Sequence, residues 1–285
     1  MTSMTPSATP SATPSAALGR ARIGAQIAPQ HALYPKIRDT LAEVEALGTD
    51  IAFNWDHFFP LSGEKNGLHF ESWTLLAAWA EQTSTIKLGA LVNCNSYRNP
   101  DLQADMARTI DHISGGRFIF GTGSGWFERD YDEYGYEFGT AGTRLDALEA
   151  DLPRIEARWA KLNPLPLRDI PVLIGGGGEK KTLRIVAKHA DIWHSFSTPV
   201  VLEHKLGVLS QWCDTVGRDL SEIEISTELR GRTVTEADEL YDLGARLFTL
   251  GLSGPRYDLA SLTDWLAWRD SKNARKPGSP SPAAF

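Results

Sequence analysis

Two cysteines, Cys94 and Cys213, are all that the 285 residues contain. That is too few for a disulfide framework or a cysteine-rich metal site. Positive charge is scarce as well. Against 36 Asp and Glu stand 29 Lys and Arg, a net charge of −7, which argues against nucleic acid or an anionic membrane as partner. No window approaches the roughly 18 consecutive apolar residues of a membrane span. The zinc motif H-E-x-x-H and a calcium-type carboxylate loop are missing. His189 and His194, though near in sequence, end a helix and the next strand, so no metal is expected. The serine-hydrolase elbow G-x-S-x-G is missing too, because Thr122 and Trp126 hold its glycine positions. Cys94 has no evident base to make it a nucleophile. What remains is a chain with the composition of a globular protein, 42% hydrophobic and 23% charged. A reducing cytoplasm is the expected setting and a small molecule the expected partner, with a homodimer left open.

Residues 1–19 lack a basic n-region and an apolar core, and read as a disordered low-complexity tail rather than a signal peptide. Residues 273–285 read the same way, which leaves 20–272 as a single body. In that body β-rich runs alternate with longer amphipathic ones. The strands are Arg22–Ala28, Asp50–Trp55, Lys87–Val92, Arg117–Gly121, Pro171–Ile174, Asp191–Phe196, Ile223–Leu229 and Arg246–Leu252. The helices are Tyr34–Leu47, Ser72–Thr83, Pro100–His112, Thr143–Lys161, Glu179–His189, Pro199–Val216, Glu236–Leu243 and Tyr257–Arg269. Eight βα units in strict alternation predict an α/β fold, a (β/α)8 TIM barrel, rather than an open sheet.

A barrel gathers its chemistry at the carboxyl ends of the strands. The unusual residues of this chain all fall there. Asp56 and His57 end the second strand, where a carboxylate beside an imidazole can fix its tautomer for acid–base work. After the fourth strand, "GTGSGWFERDYDEYGYEFG" pairs glycines that let a flat ring approach the backbone with aromatics that can wall it in. After the fifth comes "IGGGGEKK". It is not a P-loop, since Lys180 stands where the final glycine belongs. It is not a dinucleotide fingerprint either, since Lys180 or Lys181 takes the sixth position. Read as a flexible turn before a helix opening at Glu179, it offers unpaired amides to an anion. Lys180 and Lys181 in that first turn oppose the helix dipole unless an anion is there.

Together, "NWDHFFP", "GALVNCNSYRNP", "RTIDHISGGRFIFGTGSGW", "ERDYDEYG" and "PVLIGGGGEKKTLRIVAKHADIW" resemble, in order, the luciferase-like flavin and deazaflavin oxidoreductases. That superfamily includes the luciferase-like monooxygenases and the coenzyme F420-dependent enzymes. The resemblance implies that Asp56 and His57 are catalytic, with His57 as proton donor or acceptor. It implies a non-proline cis peptide near Leu91-Val92 behind the ring, with Gly125 and Trp126 at its border. It further implies a phosphate held by Gly176, Gly177 and Gly178 with Lys180 and Lys181 nearby, and Trp193 and His194 in the pocket wall. Trp126 stands where sugar-phosphate oxidisers of the family carry glutamate, and only Leu162–Asp169 stands where many relatives carry a long insertion. The function expected is hydride transfer between coenzyme F420 and a small organic substrate. The alternatives are an FMN-dependent monooxygenase and a non-catalytic deazaflavin-binding protein.

Overall fold

The computed structural model describes residues 19–274; both low-complexity tails fall almost wholly outside them. The strands β1 (Arg22–Ile27), β2 (Ile51–Asn54), β3 (Lys87–Ala90), β4 (Asn93–Cys94) and β5 (Phe118–Gly123) come first. They are followed by β6 (Val172–Gly175), β7 (Ile192–Ser195), β8 (Glu224–Glu228) and β9 (Ala245–Leu252). Every pairing between them is parallel. β3 pairs with both β2 and β5, and β9 returns to β1, so the sheet closes into an eight-stranded barrel. β3 and β4 are two halves of the third barrel strand. The cis peptide Leu91-Val92 lies between them, and beyond it β4 keeps only β5 as partner.

Alternation along each strand sorts side chains into two cores. Ile51, Phe53, Leu91, Ile119, Leu173, Ile192 and Leu247 fill the barrel interior. The intervening positions, such as Ala52, Phe118, Phe120, Ile174 and Trp193, join the larger cluster under the helices. Both faces of every strand are therefore buried, which is why the strands read as near-continuous apolar runs.

The helices are α1 (Tyr34–Ala46), α2 (Ser72–Gln82), α3 (Pro100–Ile113), α4 (Glu128–Tyr134) and α5 (Ala141–Trp159). The rest are α6 (Thr182–His189), α7 (Pro199–Val216), α8 (Val234–Asp242) and α9 (Ala260–Ala274). Pro100 opens α3 behind an Asn99 cap whose Oδ1 accepts from the Asp101 amide at 2.9 Å. Three departures from the sequence expectation have physical causes. α4 is an extra helix inside the aromatic loop, closed by Gly135 in the left-handed region at φ 71°. α6 begins at Thr182 rather than Glu179, so Lys180 and Lys181 precede the helix instead of forming its first turn. α9 begins at Ala260, because Tyr257 sits at φ 50°, and runs past Arg269 to Ala274. There Asn273 accepts from the Ala21 amide and donates to the Ala21 carbonyl, at 2.8 and 2.9 Å, which ties the two ends of the barrel together.

Candidate active site

At the carboxyl ends of the strands lies a cavity of about 570 Å³, within the usual range for small-molecule sites. Of the residues singled out from sequence, Asp56, His57, Leu91, Val92, Gly125, Trp126, Gly176 and His194 line it. Glycines shape its floor. A Cβ at Gly123 would come within 2.9 Å of Val92 Cγ2, and one at Gly175 within 3.0 Å of Val92 Cγ1. Their absence lets Val92 lie across β5 and β6, forming an apolar ledge with Leu91. The Leu91 carbonyl is anchored by Gln26 Nε2 at 2.7 Å.

His57 does not take Asp56 as its partner. Its Nδ1 lies 2.7 Å from Oδ2 of Asp130, a fully buried carboxylate on α4. Asp130 also accepts from the Phe58 amide at 3.1 Å and the Tyr97 hydroxyl at 2.9 Å. Asp56 and His57 lie in the loop just beyond β2, and their side chains take different partners. Asp56 turns to Arg98, whose Nη1 and Nη2 reach its two oxygens at 2.6 and 3.0 Å, and to the Cys94 amide at 3.1 Å. Arg98 reaches Glu71 as well, at 2.6 Å. Burial pushes the Asp56 carboxyl upward, against the pull of Arg98. Asp56 thus buttresses the strand ends, and Asp130 holds the imidazole. With Nδ1 so engaged, Nε2 is the ring nitrogen on the cavity side. Trp126 and Phe127 stand edge-on to the ring at 5.6 and 5.4 Å.

The opposite wall carries a second imidazole. His194 is buried, its Nδ1 is 2.8 Å from Ser226 Oγ, and its Nε2 is buried with no partner. Burial alone pushes it down to about 4, so it is neutral at ordinary pH. Phe196 stands edge-on to it at 5.3 Å and Arg230 shares the wall. Cys94, also in the lining, is a buried thiol on Tyr131 at 3.1 Å, and burial pushes it up to about 11. It is no nucleophile at neutral pH.

Three predicted residues are placed otherwise than expected. Trp193 faces outward into the core under the helices, its Nε1 donating to the Gly176 carbonyl at 2.7 Å. Lys181 is spent on α5, at 2.5 Å from Asp146 Oδ1 and 3.3 Å from the Gly142 carbonyl. Lys180 is exposed. The glycine turn is met instead by Lys205 of α7, which donates to the Gly177 carbonyl. Gly177 and Gly178 continue the turn from Gly176, which lines the cavity at φ 127°. Sequence reasoning missed Asp130, Arg98 and Lys205. Asp130 alone left a signal: Phe127, Asp130 and Tyr131 share one face of a helical period in an otherwise acidic stretch.

A flat ring is compatible with these residues: the glycines at 123 and 175 let Val92 lie flat across the strand ends, and the buried His194 Nε2 lacks a partner.

The family model for luciferase-like monooxygenases matches residues 17–239. The chain belongs to that family. Among curated luciferase-like relatives, an uncharacterized protein of Mycobacterium tuberculosis (strain ATCC 25618 / H37Rv) is 29% identical over 164 residues, 52% of this chain and 58% of its own. The pyrimidine monooxygenase RutA of Pantoea ananatis (strain LMG 20103) is 26% identical over 234 residues, 73% of this chain and 60% of its own. The chain thus spans about three-fifths of the length of these relatives. Among solved structures, an F420-dependent secondary alcohol dehydrogenase in complex with an F420-acetone adduct aligns with TM-score 0.75. It is 15% identical, over 84% of this chain and 96% of that one. The oxygenating constituent of 3,6-diketocamphane monooxygenase from Pseudomonas putida, in complex with FMN, aligns with TM-score 0.57. It is 17% identical, over 72% of this chain and 66% of that one. At these identities the structures establish the shared luciferase-like barrel. Among the described residues no helix is long and apolar enough to cross a membrane.

Proposed function

We propose that this luciferase-like chain is an F420-dependent oxidoreductase that reduces a small organic substrate. The observation that carries this reading is the His57–Asp130 pair facing the cavity beside the Leu91-Val92 ledge. When bound, the deazaflavin supplies the hydride. The remaining tasks fall to the chain. The ledge and the glycines at 123 and 175 position a ring. Trp126 and Phe196 narrow the mouth against water. His57 moves the proton that must accompany reduction of a carbonyl or imine. Asp130, accepting from Nδ1, holds the imidazole in one orientation, while Nε2 meets the substrate. Such a pair contributes about 10²–10⁴-fold to a rate.

The deazaflavin is preferred over FMN on two grounds. The chain accounts for 96% of the F420-dependent alcohol dehydrogenase but only 66% of the FMN-containing monooxygenase. The exposed Lys180 and the Lys205 at the glycine turn also suit a polyanionic tail, even with Lys181 held by Asp146. The likeness to RutA over 73% of the chain favours a second reading, an FMN-dependent monooxygenase. A His57→Ala variant tests catalysis directly. It should bind F420 with the wild-type affinity and lose about 10²-fold or more in single-turnover oxidation of the reduced cofactor by substrate. Retained turnover would remove the proton role. No turnover by the wild type with any carbonyl, imine or activated alkene in a broad screen would favour a protein that binds deazaflavin without using it.

A further inference from the structure

The carbonyls of the glycine turn are each taken by a neighbouring donor. Trp193 Nε1 donates to the Gly176 carbonyl at 2.7 Å, Lys205 Nζ to that of Gly177, and Trp212 Nε1 to that of Glu179 at 2.8 Å. The Gly178 carbonyl is taken by the Leu183 amide of α6 at 3.0 Å. In a trans peptide the C=O and the following N–H point in opposite directions. Pulling these carbonyls back therefore turns the N–H groups of Gly177, Gly178, Glu179 and Lys180 the other way. Among the described residues, no acceptor meets the N–H groups from Gly177 to Lys181. Successive amides aimed outward make an anion-binding nest.

A separate observation points to a ligand in the same place. His194 is 3% exposed, its Nε2 has no partner, and its own carbonyl accepts from the Gly176 amide at 3.0 Å. It lines the cavity beside Gly175 and Gly176. A buried unpaired nitrogen at the foot of the turn requires a partner that the chain does not supply.

We infer that Trp212, Lys205 and Trp193 are positioning residues that set the peptide planes of the 176–180 turn for a phosphate group of the bound cofactor. None of them needs to touch the phosphate. The inference rests on the flavin or deazaflavin reading above, and names the residues on which the phosphate part of the affinity depends. Trp212 is the most telling of the three: it is half-buried and uncharged, and Trp212→Phe keeps an aromatic ring against the edge of the core while leaving the local charge unchanged.

The test compares each cofactor with its phosphate-free form by fluorescence titration: FMN with riboflavin, which differ by the phosphate alone, and F420 with its ribityl deazaflavin chromophore, which lacks the phosphate and the tail beyond it. The wild type should prefer the phosphorylated form by at least about tenfold. In Trp212→Phe that preference should shrink by about tenfold, with the affinity for the dephosphorylated form unchanged. Lys205→Met should act in the same direction. An unchanged preference in Trp212→Phe, or equal weakening of both forms, would overturn the inference. Thermal melts with inorganic pyrophosphate separate this outcome from failure of the cofactor reading. If the wild type binds neither chromophore, that reading falls. The brace then stands only if pyrophosphate stabilises the wild type and not Trp212→Phe; equal shifts, or no shift in the wild type, overturn it.

Discussion

Replacing Asp130 by Asn removes one charge and keeps the shape, so it isolates what the carboxylate does. Its Oδ2 accepts from His57 Nδ1 and the Tyr97 hydroxyl, and its Oδ1 from the Phe58 amide. An amide offers one acceptor oxygen and one donor. With the oxygen toward His57, the NH2 group confronts the Phe58 N–H and a buried backbone donor loses its partner, at about 1–3 kcal/mol. With the amide flipped, its NH2 faces His57, Nδ1 must become the acceptor, and the proton moves to Nε2. A ring that gives its Nε2 proton to the substrate must then keep one on Nδ1, where it confronts that NH2 group. Hydrogen bonds to a charged group are worth about 1.5–3 kcal/mol against about 1 for neutral ones. The variant should therefore lose about 2–4 kcal/mol of stability. For a barrel of this size the melting temperature should fall by about 4–16 °C, read by calorimetry. In single-turnover stopped flow the hydride-transfer step should slow by about 10²–10⁴-fold while the F420 dissociation constant stays within about threefold. Tyr97→Phe, which removes one donor and leaves the tautomer alone, should cost no more than about tenfold. A rate for Asp130→Asn within about threefold of wild type would refute the assignment of Asp130 as the group that orients His57.

Three further outcomes follow from single residues. His194 is held down to about 4 against an ordinary value near 6.5, so the unfolded chain binds the extra proton between those pH values and stability falls as pH falls. Its share lost between pH 7.5 and 4.5 is about 2–3 kcal/mol, and urea titrations of His194→Gln should show a correspondingly shallower acid loss; an identical slope would contradict the buried neutral imidazole. Gly125 sits at φ 80°, and a Cβ there would collide with the Tyr131 hydroxyl and come within 2.5 Å of Cys94 Sγ. Gly125→Ala should destabilise by about 2–4 kcal/mol in urea melts, and a neutral result would mean the turn relaxes freely. Arg98→Met strands the buried Asp56 carboxylate and should cost about 3–5 kcal/mol, much of it recovered when Asp56→Asn is added; additive losses in that cycle would argue against a direct pair.

The barrel was legible because each strand is buried on both faces and each helix on one, two periods that survive in the sequence without any knowledge of partners. Caps such as Asn99-Pro100 fixed several boundaries for the same local reason. The site was legible only in part. The cis peptide at Leu91-Val92 stood where the family resemblance put it, and His57, Gly125 and Gly176 line the cavity. The partner of His57 is a different residue from the one expected. Adjacency in sequence suggested Asp56, but Arg98 takes that carboxylate, and the one that meets His57 comes from a short helix hidden in an aromatic loop. Lys181 misled in a similar way. Its sequence position recommended it for the phosphate turn, while Asp146, from another helix, decided where its charge went. Long-range pairings of this kind leave no trace in local periodicity.

Whether the cavity over the Leu91-Val92 ledge takes the deazaflavin is decided by a parallel titration of the purified full chain with F420 and with FMN, followed by cofactor fluorescence. Saturable one-to-one binding of F420 at micromolar concentration or tighter is expected, with FMN at least about tenfold weaker. Micromolar binding of FMN with no detectable binding of F420 would contradict it.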